Sequence, residues 1–257
     1  MTRIDSYEDL ADNIVGWLKD YYWMHNVKAF VVGVSGGIDS AVVSSLCART
    51  GLPTYVVCMP LESKFENSRL SDAHSKALVE KYDNDKRIEV ELFSAYDSLI
   101  KSIEWWSEAQ HFDKKEFTSS DHAKANTKSR MRMITLYQIA GSVGGIVVGT
   151  GNKVEDYGVG FYTKYGDGGV DIAPIADLYK TEVWELGEYL EVDQRIVDAD
   201  PTDGLWIDSR SDEEQLGASY AELEEAMETG TGPAVDVLKK FNEQNKHKML
   251  PIPTFKL

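Results

Sequence analysis

The stretch AFVVGVSGGIDSAVVSSLCART, residues 29–50, decides the fold class of this chain. Residues 29–35 form a short, nearly continuous apolar run, which predicts a strand buried on both faces, as in a parallel sheet. Residues 40–50 predict a helix, and Gly51-Leu52-Pro53 ends it. A buried strand that turns directly into a helix is the first half of a strand–helix–strand unit, so the stretch indicates an α/β protein.

The rest of the chain continues this alternation of strands and helices. Further strands are predicted at 54–60, 87–93 and 145–150, and helices at 5–22, 67–82, 95–106, 126–140, 177–190, 212–229 and 234–245. The stretch 107–124 is polar without periodicity, 151–176 is Gly-rich and irregular, and the tail PIPTFKL is extended. Since there is no internal repeat and no linker, we predict one domain over 1–257, with a doubly wound parallel sheet and helices on both faces.

The composition limits the function classes to which the chain can belong. Its 257 residues include 43 Asp and Glu against 27 Lys and Arg, a formal charge of −16, and 42% of them are hydrophobic. That hydrophobic content excludes a wholly disordered chain. The acidity argues against a nucleic-acid partner, because such binding is normally driven by a basic face. A small anionic ligand remains possible, since it needs only a local pocket.

Neither a membrane nor an oxidising compartment is indicated. No stretch approaches the roughly 20 apolar residues of a membrane span, and the N-terminus has no apolar signal core. Cys47 and Cys58 lie in apolar runs without a CxxC or a zinc-like spacing, so we predict two buried, inert thiols. The prediction is a reduced, cytoplasmic protein.

The segment GVSGGIDS, residues 33–40, has the features of a phosphate-binding loop. Gly36 and Gly37 lack a Cβ, so the backbone can approach an oxyanion closely, and the free N–H groups of a helix start favour negative charge. Ser35 and Ser40 add hydroxyl donors. Asp39 would repel a phosphate unless a cation lies between them, which suggests Mg²⁺. A Gly-Gly turn capped by Asp or Ser is the purely structural alternative.

The loop differs from two common nucleotide-binding motifs. It has no Lys after its second glycine, as Walker A requires, and it does not fit GxGxxG. It resembles instead the PP-loop of the ATP pyrophosphatases. These enzymes cleave ATP between its α and β phosphates and pass AMP to a carboxylate, carbonyl or amide oxygen, so the resemblance specifies a superfamily but not a substrate.

Three further segments narrow the choice of substrate. NTKSRMRM (126–133) places three cations on an apolar helix, GTGNKVEDYGVGFYTKYGDGGVD (149–171) follows a strand, and DLYKTEVWEL (177–186) puts Lys180 at a helix start. Cations among apolar residues indicate an anion pocket. For each segment taken alone, the alternatives are a solvated basic face, a long surface loop and a surface lysine.

Taken in this order, the segments resemble the ammonia-dependent NAD⁺ synthetases, and FYTKYGDGGVDIAPIADLYKTEV (161–183) is the most specific part. The resemblance extends from the first helix to His247-Lys248. It implies a Rossmann-like sheet of the adenine-nucleotide α-hydrolase type and a homodimer. It also implies that ammonia amidates deamido-NAD⁺ through an acyl-adenylate, with Mg²⁺ present and with ATP converted to AMP and pyrophosphate.

The resemblance assigns site residues by motif. The ATP-binding positions would be Gly33, Val34, Ser35, Gly36, Gly37, Ile38, Asp39, Ser40, Thr150, Lys180 and Thr202. The deamido-NAD⁺ positions would be Arg130, Lys164, Asp171, His247 and Lys248. Asp39 and Glu155 match the Mg²⁺ carboxylates. The predicted catalytic residues are Asp39, Lys180 and Asp171, the last as a candidate to accept a proton from ammonium. Ser211-Asp212-Glu213 matches the mobile segment that covers the site.

The sequence departs from the family pattern in two places. The run EDYGVGFYTKYGDGG is one residue longer than in many members, so Asp156 could replace or assist Glu155. The stretch 107–124 has no strong match. We also expect no glutaminase domain, because the synthetase-like part begins almost at the first residue and neither cysteine has a nucleophile's setting. Free ammonia is therefore the predicted nitrogen donor.

Other functions and the oligomeric state stay open at this stage. A GMP-synthetase-like or tRNA-thiolating PP-loop enzyme is one alternative, although the charge disfavours RNA. A nucleotide-binding sensor without catalysis is another, and it would leave the cations of the second substrate site idle. The aromatic residues of helices 5–22 and 95–106 could cover a partner subunit or belong to the core.

Overall fold

The computed structural model describes residues 3–61, 65–113, 117–118, 120–202 and 211–256. The strands are β1 (Phe30–Gly33), β2 (Thr54–Cys58), β3 (Asp85–Glu89) and β4 (Ile146–Val148). The first helices are α1 (Tyr7–Met24), α2 (Ile38–Arg49), α3 (Phe65–Lys81), α4 (Phe93–Ala109) and α5 (Asp121–Val143). After β4 come a π-helix (Val154–Val159), then α6 (Lys180–Tyr189), α7 (Gln194–Val197), α8 (Asp212–Leu216), α9 (Tyr220–Thr229) and α10 (Val235–Met249).

The four strands form one parallel sheet in the order β3-β2-β1-β4. Phe30 of β1 lies opposite Thr54 of β2 and Ile146 of β4, and Thr54 lies opposite Asp85 of β3. The predicted parallel α/β fold is therefore confirmed. In the part of the chain that the structure describes, no helix is long and apolar enough to cross a membrane.

Alternate side chains of the strands pack into separate clusters on the two faces of the sheet. Phe30 and Val32 pack against α1, α2 and α6, whereas Val31 of the same strand lies with Val57 and Val147 against α5. Because both faces are covered by helices, every position of such a strand is buried. This explains the continuous apolar run at 29–35 that stands in place of alternation.

The strand order creates the crevice in which the candidate site lies. From β1 the chain passes through α2 to β2 on one side, while β4 pairs with the opposite side of β1. Ligands of open α/β sheets bind at the carboxyl ends of strands where the order reverses in this way. At this edge Asn152, from the segment after β4, donates to Asp39 in the first turn of α2 (3.0 Å).

Several predicted boundaries of helices and strands are wrong. The strand predicted at 87–93 is Asp85–Glu89, because its partner β2 ends at Cys58 opposite Glu89. The helix predicted at 212–229 is two helices, because Gly217 adopts a left-handed conformation with φ 77° and ends α8. The stretch 107–124 is partly helical, since α4 extends to Ala109 and α5 begins at Asp121.

Two short helices had no counterpart in the sequence prediction. The π-helix lies inside the stretch 151–176 that was predicted to be irregular, and the four-residue α7 is too short to show a periodic pattern. The π-helix packs with α9 and α10 in a small core cluster beside the sheet. It therefore carries its acidic residues, Glu155 and Asp156, on a rigid support.

Candidate active site

The loop after β1, which the sequence predicts to bind phosphate, is a tight turn held by its own side chains. Gly36 has φ 93°, a backbone conformation that side chains with a Cβ rarely adopt, which explains why a glycine is needed here. The Ser40 hydroxyl donates to the Gly37 carbonyl (2.9 Å) and accepts from the Ser35 N–H (3.1 Å), while Ser35 Oγ accepts from the Gly37 N–H (3.2 Å). The two predicted serines therefore brace the loop at the start of α2.

Three predicted site residues from distant parts of the chain meet beside this loop. Lys180 Nζ lies 2.5 Å from Asp39 Oδ2 and 3.1 Å from Glu155 Oε1. The Lys180 side chain is 3% exposed and each carboxylate is 17% exposed. Burial alone would lower the pKa of the Lys180 ammonium, but the two carboxylates outweigh burial and raise that pKa above its usual range. Lys180 is therefore a fixed positive charge.

Asn152 and Tyr220 complete this cluster, and sequence reasoning missed both. The fully buried Asn152 accepts from the N–H groups of Val154 and Glu155 (both 3.1 Å) and donates to Asp39 Oδ1 (3.0 Å). Asn152 thereby ties the first turn of the π-helix to α2. Tyr220 OH lies 2.8 Å from Glu155 Oε1. The position of Asn152 in GTGNK, directly after a strand, was an available signal, whereas Tyr220 stands in an acidic helix without any.

The cluster contains more acidic than basic side chains. Burial raises the pKa of Glu155, and Lys180 only partly opposes that effect. Burial, followed by the charges of Glu155, Asp167 and Asp39, raises the pKa of Asp156 to about 7. Asp156 therefore belongs to the same electrostatic environment, although it is Glu155 that contacts Lys180.

Four of the positions predicted for the second substrate also lie together. Arg130 Nε donates to the Lys164 carbonyl (3.3 Å), and Lys164 Nζ donates to the His247 carbonyl (2.9 Å). Lys248 Nζ donates to the carbonyls of Gly160 (2.9 Å) and Tyr162 (2.8 Å), and its pKa is lowered by burial. Residues from α5, the Gly-rich segment and α10 thus converge. In this structure Lys248 binds the backbone of its own chain.

The other predicted site residues, Asp171, Thr150 and Thr202, are placed one by one. Both oxygens of Asp171 accept hydrogen bonds, from Tyr137 OH (2.9 Å) and from the Val147 N–H (2.8 Å), so its carboxylate supports the edge of β4. Thr150 follows β4 and is half-buried, and Thr202 is the last described residue before the gap at 203–210. Ser211-Asp212-Glu213, which the resemblance assigns to the cover of the site, follows this gap at the start of α8.

The other two cations of NTKSRMRM contact different parts of the chain from Arg130. Lys128 is buried with its Nζ 5.6 Å from the centroid of the Tyr96 ring, and Arg132 Nε donates to the Met59 carbonyl (3.5 Å). Of these three cations, the resemblance assigns only Arg130 to the second substrate, and that assignment stays a prediction. Residues two apart on a helix face different directions, so Arg130 cannot share a face with Lys128 or Arg132.

No thiol and no preformed metal cluster stands in the described residues of the site. Cys47 and Cys58 are both buried, as predicted, and burial raises the pKa of the Cys47 thiol above its usual range. Within the described ranges, no three His, Cys, Asp or Glu side chains are grouped to hold a metal ion. The two predicted metal carboxylates contact the Lys180 ammonium.

Comparison with known proteins agrees with this geometry. The model of the NAD synthase family matches residues 10–253. An NH₃-dependent NAD⁺ synthetase of Carboxydothermus hydrogenoformans is 35% identical over 246 residues, 95% of each chain. An NMN synthetase of Francisella tularensis superposes with a TM-score of 0.85 at 31% identity, over 99% of this chain and 100% of that one. An NAD⁺ synthetase of Burkholderia pseudomallei superposes with a TM-score of 0.74 at 25% identity, over 96% of this chain and 91% of that one. This chain therefore belongs to the NAD synthase family.

Proposed function

We propose that this chain forms NAD⁺ from deamido-NAD⁺, ATP and ammonia, and releases AMP and pyrophosphate. The observation that carries the proposal is the buried cluster of Lys180, Asp39 and Glu155 beside the phosphate-binding loop. It supplies a fixed cation and carboxylate oxygens where ATP phosphates would lie. Membership of the NAD synthase family and the NH₃-dependent synthetase from Carboxydothermus hydrogenoformans support the same reaction.

The chain's own residues would act by binding and by neutralising charge. An oxygen of the nicotinate carboxylate attacks the α-phosphorus of ATP, and the bond to pyrophosphate breaks. Ammonia then attacks the acyl carbon of the adenylate, AMP leaves, and the nitrogen loses a proton. The N–H groups at the start of α2, the hydroxyls of Ser35 and Ser40, and Lys180 would stabilise the phosphate charge in both steps. No side chain needs to form a covalent bond.

Asp39 and Glu155 fit a Mg²⁺ ion by the chemistry of their donors. Carboxylate oxygens are its preferred protein ligands, and both groups lie in a cluster where Lys180 is outnumbered by acids. Mg²⁺, when bound, would neutralise the ATP phosphates and the charge that grows on pyrophosphate. Asp156 would assist Mg²⁺ binding by its negative charge, since it lies close enough to Asp39 and Glu155 for their charges to raise its pKa.

Free ammonia is the proposed nitrogen donor. Glutamine-dependent transfer requires a nucleophilic thiol, and both cysteines of the chain are buried. Burial also raises the Cys47 pKa, which disfavours the reactive thiolate. Asp171 remains a candidate proton acceptor, but its two hydrogen bonds favour a structural contribution.

The NMN synthetase of Francisella tularensis suggests a second candidate substrate. Its TM-score of 0.85 exceeds the 0.74 of the Burkholderia NAD⁺ synthetase, and its full length is covered. The chemistry at the nicotinate carboxylate would be the same with nicotinate mononucleotide, which lacks the adenylate half of deamido-NAD⁺. The two substrates differ only in the groups that lie away from the reacting carboxylate.

A product assay separates these functions. Purified protein is incubated with ATP, Mg²⁺ and ammonium, together with either deamido-NAD⁺ or nicotinate mononucleotide, and the products are resolved chromatographically. We expect NAD⁺ and AMP in equal amounts, with a higher kcat/KM for the dinucleotide. A higher value for the mononucleotide would favour NMN synthesis, and bound ATP without AMP release would favour a sensor. Efficient transfer from ¹⁵N-amide glutamine would contradict the ammonia assignment.

We further propose one cytoplasmic synthetase domain that acts as a homodimer. Exposed aromatic side chains support a covered surface: Trp23 is 69% exposed on α1 and Trp105 is 72% exposed on α4, whereas Tyr22 of α1 belongs to the core. Light scattering at micromolar concentration tests the dimer, and a monomer mass would contradict it.

A further inference from the structure

Tyr220 connects three charged residues at the centre of the site. It is the first residue of α9 and is 1% exposed. Its hydroxyl oxygen lies 2.8 Å from Glu155 Oε1 and 3.2 Å from Asp212 Oδ2, and its ring centroid lies 5.0 Å from Lys180 Nζ. Buried tyrosine hydroxyls need a partner, and this one faces two carboxylates.

The hydrogen count at this hydroxyl favours Glu155. A tyrosine hydroxyl carries one hydrogen, so it donates to one carboxylate at a time, and the shorter contact is with Glu155. Glu155 Oε1 also accepts from Lys180 Nζ at 3.1 Å. Two donors at one oxygen fix the rotation of the Glu155 carboxylate, and both are held by buried side chains.

The packing around Tyr220 leaves its ring little freedom. Trp184 of α6 meets the ring edge-on, with centroids 6.0 Å apart. The Tyr220 backbone N–H donates to Glu213 Oε1 of α8 (3.0 Å), while Asp212 Oδ2 of the same helix competes with Glu155 for the hydroxyl hydrogen. The position of Asp212 in α8 therefore affects how strongly the Tyr220 hydroxyl binds Glu155.

We infer that Tyr220 is a positioning residue: its hydroxyl aims the Glu155 carboxylate at a divalent cation, and Asp212 acts on that carboxylate through the same hydroxyl. The inference rests on the metal role of Glu155 in the proposed function. Residues that hydrogen-bond a metal ligand in this way typically change metal affinity by about 10- to 100-fold when they are removed.

Tyr220→Phe tests the inference because it removes the hydroxyl and keeps the ring. Mn²⁺ binding is measured by electron paramagnetic resonance with the non-cleavable α,β-methylene analogue of ATP, so no turnover is involved. We expect about 10-fold weaker Mn²⁺ binding. In the assay, the Mg²⁺ concentration for half-maximal rate should rise by a similar factor. Saturating Mg²⁺ should restore most of kcat, and the KM for deamido-NAD⁺ should stay within about twofold.

Tyr22→Phe is the matched control, since Tyr22 is also buried and its hydroxyl donates to the Lys28 carbonyl away from the site (3.3 Å). It removes a buried hydroxyl and should leave Mn²⁺ binding unchanged. A second variant, Asp212→Asn, completes a double-mutant cycle with Tyr220→Phe. If Asp212 acts through the hydroxyl, the double variant loses no more Mn²⁺ affinity than the weaker-binding single variant.

The outcomes separate this inference from the proposed function. Equal Mn²⁺ affinity in the folded Tyr220→Phe variant and the wild type would overturn the inference, as would additive losses in the cycle. Absence of Mn²⁺ binding in the wild type would overturn both. Normal Mn²⁺ binding and a weakened variant, without any NAD⁺ formation, would support the positioning role and refute only the proposed reaction.

Discussion

Replacing Lys180 with Met tests whether this ammonium holds the two site carboxylates together. Its Nζ contacts Asp39 Oδ2 at 2.5 Å and Glu155 Oε1 at 3.1 Å, and the lysine side chain is 3% exposed. At an effective dielectric constant of 20, one charge pair at 3 Å is worth about 5–6 kcal/mol. Desolvation of the ammonium offsets part of that attraction, and removing one partner of a buried pair costs about 3–5 kcal/mol.

We therefore expect the free energy of unfolding of Lys180→Met to fall by about 3–5 kcal/mol, which corresponds to a Tm lower by roughly 10 °C. Added Mg²⁺ should raise the Tm of the variant more than that of the wild type, because the cation can neutralise the carboxylates that have lost their ammonium.

Thermal melts followed by circular dichroism, with and without Mg²⁺, measure both effects. Lys153→Met is the matched control, since Lys153 pairs at 2.7 Å with Asp177, which is 84% exposed. An exposed pair of this kind contributes only about 0–1 kcal/mol. A Tm of Lys180→Met within about 2 °C of the wild type, or an equal gain from Mg²⁺ in both proteins, would refute the reasoning.

Three further predictions concern the reaction, acid stability and the loop. Asp39→Asn should lower the adenylation rate by at least about 10²-fold, or roughly 2.7 kcal/mol, and a near-normal rate at low Mg²⁺ would falsify the metal role. Burial lowers the pKa of His74 to about 4 from its ordinary 6.5, so the unfolded chain takes up a proton first as the pH falls. The free energy of unfolding should thus decrease by about 3 kcal/mol between pH 6.5 and 4. Urea titrations should show that the free energies of unfolding of the wild type and His74→Gln differ by an amount that changes between pH 6.5 and 4. A difference that stays constant over this range contradicts the prediction. Gly36→Ala should cost about 1–3 kcal/mol and raise the KM for ATP, because φ is 93° at this residue. Gly16→Ala is its control: a Cβ added at Gly16 meets no atom within 4 Å, so this variant should be slightly stabilised. Equal melting temperatures of the two variants would argue against backbone strain in the loop.

The sequence predicted the sheet well because its strands are covered on both faces. Each central strand is an uninterrupted apolar run, and such runs can be identified without knowing their neighbours. The boundaries were less accurate, since β3 ends where its partner β2 ends, at the pair Cys58 and Glu89. Strand length is thus a property of the pair, which a single segment does not contain.

In the candidate site, too, the sequence predicted local features and missed contacts between distant residues. The phosphate-binding loop was visible because its glycines, serines and aspartate are contiguous, whereas Asn152 and Tyr220 were missed. Asn152 bonds a residue 113 positions away and Tyr220 one that is 65 positions away, so neither contact leaves a local pattern. Lys248 carried a substrate-binding prediction, and in the folded chain it binds the carbonyls of Gly160 and Tyr162.

The sequence by itself therefore determined the parallel α/β class, and it predicted a phosphate-binding loop and the charged residues available to that loop. Tertiary structure decided which of them meet. It placed Lys180 between Asp39 and Glu155, and it brought the Tyr220 hydroxyl into contact with Glu155. It also placed Lys128 beside the Tyr96 ring and Arg132 at the Met59 carbonyl. The reason is that backbone preference and apolar periodicity act over a few neighbouring residues. The strength of a charge interaction depends instead on burial and on distances that only the assembled fold sets.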